Sequence, residues 1–224
     1  MQEETFSREA LLIGQSAVER LARCHVAVFG VGGVGGYVVE ALTRAGIGAL
    51  DLIDADHVSL SNLNRQLIAT LDTVGELKVD VLAQRIARIN PACQVTRHAM
   101  FYLPENADAI DLSRYDYVVD AIDTVSAKIV LAQRCEQLQV PLISAMGAGN
   151  KLDPTLLQLT DISKTYGCPL ARVMRKELRN RGIEHLRVVF SSEEPTRAPD
   201  APEGAEAPPP GRRSIPASNP WVPA

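Results

Sequence analysis

The run Gly30-Val31-Gly32-Gly33-Val34-Gly35 constrains this 224-residue chain more than any other feature. It follows the short apolar stretch His25 to Phe29 and opens a segment, Gly33 to Arg44, in which small and apolar residues recur at helical spacing until Gly46. Lacking a Cβ, glycines let backbone amides at a helix N-terminus come close to a phosphate or sugar. Ala49 to Ile53 reads as the second strand. Asp54 ends it, nineteen residues beyond Gly35, where an acidic residue commonly accepts hydrogen bonds from a ribose hydroxyl. Strand, glycine turn, helix, strand and acid together predict a nucleotide site; a tight strand-to-helix turn alone would use the same glycines.

The alternation continues along the chain. A helix is expected from Ser7, as its N-cap, to about Arg23, interrupted near Gly14. Lys78 to Asn90 is an amphipathic helix closed by Asn90-Pro91, and Gln94 to Ala99 a strand. Tyr117 to Ala121 is a buried strand, Ser126 to Gln139 a helix and Pro141 to Ala145 a strand. A helix from about Pro169 to Gly182 is flanked by strands Leu156 to Ile162 and Arg187 to Ser191. Connections too long for hairpins predict an α/β fold, a doubly wound, mostly parallel Rossmann-like sheet with helices on both faces. Nine of the fourteen prolines fall between Pro195 and Pro223. Residues 1–192 are therefore expected to form one domain, 193–213 a Pro-rich linker or mobile loop, and 214–224 a segment that re-docks through Ile215, Trp221 and Val222.

With 46% hydrophobic and 22% charged residues the chain has the balance of a globular protein. A net charge of −4 leaves no global positive field, so nucleic-acid binding must rest on a local patch. Cys24, Cys93, Cys135 and Cys168 contain no C-x-x-C pair, which argues against a disulfide framework and a four-thiolate zinc site. The polar, acidic N-terminus and the lack of a long apolar run predict a cytoplasmic protein without membrane attachment.

The polar stretch from Asp54 to Gln66 has too little hydrophobic periodicity to be core. It offers Asp54, Asp56, Asn62, Arg65 and Gln66 for a cofactor. Arg65 has a planar fork suited to phosphate oxygens, and Lys78 heads the following helix as a point charge. Asp123 lies beyond the strand ending at Ala121, on the edge where open α/β sheets bind ligands. Magnesium prefers one or two protein carboxylates with phosphate and water completing its shell, so Asp123 suits magnesium-ATP; a helix N-cap is the alternative.

The motifs GVGGVG, DADHVSLSNLNRQ, VGELKV and DAIDT, in this order, resemble the adenylate-forming ThiF/MoeB superfamily of ubiquitin-activating-enzyme-like proteins over roughly residues 5 to 192. GIGALDLID, RINP and GAGNKLDPT resemble its tRNA threonylcarbamoyladenosine dehydratase branch. The resemblance implies that Asp54 holds the ribose, that Asn62, Arg65 and Lys78 bind the triphosphate, and that Asp123 works through magnesium. It implies a homodimer in which Arg8 reaches the neighbouring subunit's ATP site; by itself Arg8 is a surface cation. The implied reaction adenylates the threonyl carboxylate of the modified tRNA nucleoside and closes it to a ring. Partners would be tRNA and a cysteine desulfurase or sulfur-acceptor protein.

The alternative within the superfamily is activation of a ubiquitin-like sulfur carrier. Those branches commonly carry two C-x-x-C zinc pairs, the first near Cys168, which stands alone here. A scaffold without turnover is a third reading, disfavoured by Arg65, Lys78 and Asp123. Family members generally continue past the position of Ser214-Ile215-Pro216, so truncation is also an expectation.

Arg172, Arg175, Lys176 and Arg179 fall at i, i+3, i+4 and i+7, a basic stripe opposite Leu170, Met174 and Leu178, and are candidates for RNA phosphates. A solvated helix face has the same pattern. Cys168 precedes this helix as a reactive thiol or a structural residue; Cys24, Cys93 and Cys135 are expected to be buried, and Tyr37 to be packing. The four histidines lack metal-ligand spacing.

Overall fold

The computed structural model describes residues 2–196. Three short helices open it: α1 (Gln2–Thr5), α2 (Ser7–Ile13) and α3 (Gln15–Leu21). The chain then alternates through β1 (His25–Phe29), α4 (Gly35–Arg44), β2 (Ala49–Ile53), α5 (Lys78–Ile89) and β3 (Gln94–His98). β4 (Tyr117–Asp120), α6 (Val125–Leu138), β5 (Leu142–Ala145), β6 (Leu157–Asp161), α7 (Pro169–Arg179) and β7 (Arg187–Ser191) complete it. The seven strands lie in the order β3-β2-β1-β4-β5-β7-β6, all parallel except β6, which pairs antiparallel with β7 at the edge.

Alternation along β1 shows why this strand is central. Val26 and Val28 join one core with Val39 of α4 and Val79, Leu82 and Ile86 of α5, whereas Ala27 and Phe29 face Ala127, Leu131 and Cys135 of α6. A strand covered on both faces needs apolar residues at every position, the pattern of HVAVF. A third cluster packs α6 and α7 on β7 through Ala132, Met174, Leu178, Val188 and Phe190. The winding reverses between β1 and β4, so the loops after those strands face each other at a topological switch point. Among the described residues no helix is long and apolar enough to cross a membrane.

Several expectations are corrected. The first helix breaks at Gly14 (φ +87°) as anticipated, but Ser7 is not its N-cap. The Ser7 hydroxyl donates to the Glu4 carbonyl at 2.9 Å, spent on the turn behind it, and Phe6 occupies the cap position. Tyr37 is 40% exposed. Cys135 is buried, but Cys24 and Cys93 are half-buried, because they sit in the turns entering β1 and β3 rather than inside elements. Glu193 and Thr196, at the head of the expected linker, are hydrogen-bonded to residues 150–153; residues 197–224 lie outside the described residues.

One buried cluster has no counterpart in the sequence reading. Asp51 of β2, 1% exposed, accepts hydrogen bonds from His25 Nε2 of β1 (2.7 Å), His98 Nε2 of β3 (2.9 Å) and the Tyr115 hydroxyl (2.7 Å). Burial alone would raise its carboxyl, but the bonds from His98, His25 and Tyr115 outweigh it and hold Asp51 below the usual carboxylate range.

Candidate active site

The site forms where β1, β2 and β4 end. Gly30 has φ +82°, and a Cβ there would stand 2.6 Å from the Ala121 carbonyl oxygen; one on Gly35 would stand 1.8 Å from the Gly30 carbonyl oxygen. These two glycines let the β1–α4 turn fold against the β4–α6 loop. The N-terminus of α4, capped by no side chain, opens at this turn, as an anion-binding helix end requires.

Asp54 is joined to the glycine turn directly. Its Oδ2 accepts the Val31 N–H at 2.8 Å and its Oδ1 the Asp56 N–H at 2.8 Å. Each oxygen keeps a second lone pair for a sugar hydroxyl. Beyond it the chain makes short 3-10 turns at Leu60–Asn62 and Leu71–Thr73, closed by side chains of Asn62 and Thr73. His57 bridges Leu77, which returns the chain so that Lys78 starts α5 beside Asp56. Lys78 is buried, and its Nζ lies 2.8 Å from Asp56 Oδ2.

Asn62 is also buried, its Oδ1 accepting the Ser59 N–H at 3.2 Å. Arg65 donates to the Ser61 carbonyl at 2.9 Å and to Asn64 Oδ1 at 3.0 Å. Gln66 is buried against Gly32, 3.5 Å from where its Cβ would be, and its Oε1 has no hydrogen-bond partner among the described residues. Such an atom costs free energy unless something polar meets it. Asp123 is exposed across the switch point, where among the described residues it receives only a long 3.3 Å bond from the Thr124 hydroxyl. Thr124 occupies the N-cap position of α6, so Asp123 is not committed as a cap.

Arg8 is set apart from these residues. The Phe6 ring packs 3.3 Å from the Cβ position of Gly46, which precedes β2, so α2 starts at the amino edge of the sheet. The glycine turn lies at the other end of strands about 16 Å long. Arg175 leaves the basic stripe: its guanidinium donates to the Thr165 carbonyl (2.8 Å) and hydroxyl (2.6 Å), while Arg172, Lys176 and Arg179 are exposed. Cys168 is buried at the N-cap position of α7, where its Sγ accepts the Ala171 N–H at 3.5 Å.

Sequence reasoning missed two charged groups at this edge. Lys151, in the loop after β5, is 1% exposed and donates to the Ser191 carbonyl at 2.6 Å; burial lowers its pKa, partly opposed by Cys168 and Glu193. The second is the ion pair of Asp120 with Lys128 beneath Asp123. Lys151 and Asp120 stand inside the motifs GAGNKLDPT and DAIDT, and nothing in those motifs marks either as buried.

Residues 6–189 match the ThiF family. This chain belongs to the ThiF family. Among similar proteins, the tRNA threonylcarbamoyladenosine dehydratase of Bacillus subtilis (strain 168) is 49% identical over 191 residues, covering 85% of this chain and 75% of the relative. The crystal structure of E. coli tRNA N6-threonylcarbamoyladenosine dehydratase, TcdA, in complex with ATP aligns with a TM-score of 0.84 at 37% identity, covering 98% of this chain and 87% of that one. The adenylyltransferase and sulfurtransferase MOCS3 of Culex quinquefasciatus, by contrast, is 38% identical over 141 residues, 62% of this chain and 32% of that protein. The likeness to the dehydratase thus runs further along this chain than the likeness to the adenylyltransferase.

Proposed function

We propose that this ThiF-family chain is an ATP-dependent dehydratase that adenylates the threonyl carboxylate of N6-threonylcarbamoyladenosine in tRNA and closes it to a ring with loss of water. The carrying observation is the meeting, at the β1–β4 switch point, of an uncapped helix end, a carboxylate tied to the glycine turn and an exposed carboxylate opposite. The extended likeness to dehydratases selects the substrate.

The glycine turn and Gln66 cradle the nucleotide and Asp54 takes the ribose. Lys78, Arg65 and Asn62 meet the phosphates. The substrate carboxylate attacks the α-phosphorus and pyrophosphate leaves, with fixed cations stabilising charge on the transferring group. An internal nucleophile then attacks the activated acyl carbon, AMP leaves, and the ring closes. Asp123 would hold magnesium, which when bound neutralises phosphate charge; a single exposed carboxylate facing a phosphate cradle fits that ion. Arg8, at the wrong edge for its own site, serves the second copy in a homodimer. The tRNA backbone follows Arg172, Lys176 and Arg179 on α7, whose N-terminus packs on Gly147 at the same edge as the site. The reaction is cytoplasmic.

The test is ATP–pyrophosphate exchange with magnesium. Exchange that needs tRNA bearing threonylcarbamoyladenosine, with the cyclic nucleoside detected by mass spectrometry, is the expected result. Exchange with a sulfur-carrier protein alone would replace this reading.

A further inference from the structure

Beneath the Asp123 loop lies an ion pair closed off from solvent. Lys128 of α6 is 0% exposed and Asp120, the last residue of β4, is 1% exposed, with Nζ and Oδ2 2.9 Å apart. A buried ion pair is no better for stability than a well-packed apolar pair of similar volume, and is often worse. Its value here is local. Asp120 Oδ1 accepts the Ile122 N–H at 3.1 Å, and Lys128 Nζ donates to the Ile122 carbonyl at 3.0 Å. Both backbone groups of the residue before Asp123 are therefore held by the pair. The Ser144 hydroxyl of β5, itself fully buried, donates to Asp120 Oδ2 at 2.5 Å and fixes that carboxylate from the other side.

The neighbouring residue completes the argument. The Ala121 N–H donates to the Phe29 carbonyl at 2.8 Å, and the Ala121 carbonyl is the atom that Gly30 must approach. The loop is clamped on one side against the glycine turn and on the other by Asp120 and Lys128. Asp123, by contrast, is exposed and makes no ion pair among the described residues. Its direction is set by the backbone that carries it.

We infer that Asp120 and Lys128 are positioning residues for Asp123: their ion pair fixes the Ile122 peptide and so sets how strongly magnesium tightens nucleotide binding. This rests on the reading of Asp123 as the magnesium carboxylate. Partners that orient a metal-binding carboxylate commonly change metal affinity about 10- to 100-fold when removed.

The test measures binding of α,β-methylene-ATP by calorimetry with and without magnesium, together with hydrogen exchange of the Ile122 amide. The uncharged double variant Asp120→Asn/Lys128→Met removes both charges at similar volume. Expected are an unchanged affinity without magnesium, a loss of about tenfold or more in the tightening that magnesium confers, and faster exchange at Ile122. If the double variant does not fold, Ser144→Ala, which leaves both charges, should reduce the tightening in the same direction. Asp123→Ala separates the two levels. If it abolishes the tightening while the pair variant lowers only the melting temperature, the inference fails and the magnesium reading stands. If Asp123→Ala leaves the tightening intact, the magnesium reading fails and takes the inference with it.

Discussion

Three glycines separate the two physical reasons for having no side chain at the nucleotide turn. Gly14 has φ +87° and ψ 150° with nothing within 4 Å of a Cβ, so alanine there meets only the cost of a backbone conformation that is essentially glycine's own, about 1–3 kcal/mol. Gly35 has the opposite problem: no positive φ, but a Cβ position 1.8 Å from the Gly30 carbonyl oxygen. Gly30 has both, φ +82° and the Ala121 carbonyl oxygen at 2.6 Å. The atom to be displaced is backbone, held by the Ala121 to Phe29 bond, so it cannot swing aside as a side-chain end would. Overpacking of this kind costs about 1–3 kcal/mol. Gly30→Ala should therefore lose roughly 2–5 kcal/mol, a fall of about 4–20 °C in Tm at 2–4 °C per kcal/mol for a chain of this size. Gly14→Ala should lose about 2–12 °C by the same conversion. Thermal unfolding followed by circular dichroism, with ATP affinity by calorimetry, checks the series. Gly30→Ala and Gly35→Ala should weaken ATP and Gly14→Ala should not. A Gly30→Ala protein no less stable than Gly14→Ala, with normal ATP affinity, would refute the claim that the turn is packed against the β4–α6 loop.

Two further outcomes follow from the charges. Asp51 is held below its unfolded value, so the stability it contributes is complete above about pH 3.9 and is lost as pH falls through its folded value. Asp51→Asn should cost about 1–3 kcal/mol at neutral pH and flatten this part of the acid dependence in urea titrations; parallel curves for the two proteins would show that the cluster does not titrate with folding. Replacing Arg172, Lys176 and Arg179 with Gln should weaken tRNA binding and reduce its log–log salt slope by up to about 0.7–0.9 per lost phosphate contact. Arg175→Gln should instead lower Tm, since its guanidinium is bound to Thr165; an unchanged slope in the triple variant would exclude α7 as the RNA surface.

How much of this was legible depended on the range of the interactions. β1, β2 and β7 were read to the residue because a buried strand writes itself as a short, mostly apolar run between glycines or polar turns. That Asp54 and Asp123 lie at one edge of the sheet was legible because the parallel strands they follow end there. The turns between Ser59 and Thr73 were not, since they are closed by Asn62 and Thr73 side chains rather than by any hydrophobic period. Asp51 meets His98 and Tyr115 across 47 and 64 residues, and only the registers of β1, β2 and β3 bring them together. Helical spacing aligned Arg175 with its basic neighbours but carried no information about Thr165, which captures it.

Asp56 shows how geometry adds a partner to a residue that pattern places in a site. As an acidic member of the polar stretch it reads as a cofactor contact. Yet a carboxylate turned toward a triphosphate would repel it, whereas the Asp56 oxygen is spent 2.8 Å from Lys78 Nζ. Lys78 is the buried partner, with 6% of its side chain exposed against 51% for Asp56. A lysine left to itself there would lose hydration and rotamer freedom together; bonded to Asp56 it is held in one orientation. Cations fixed before the reaction need no reorganisation when charge develops on the transferring phosphoryl group, and this is what makes them effective. Asp56 thus holds Lys78 in place, while the two oxygens of Asp54 are aligned by the Val31 N–H and by the backbone N–H of Asp56 itself.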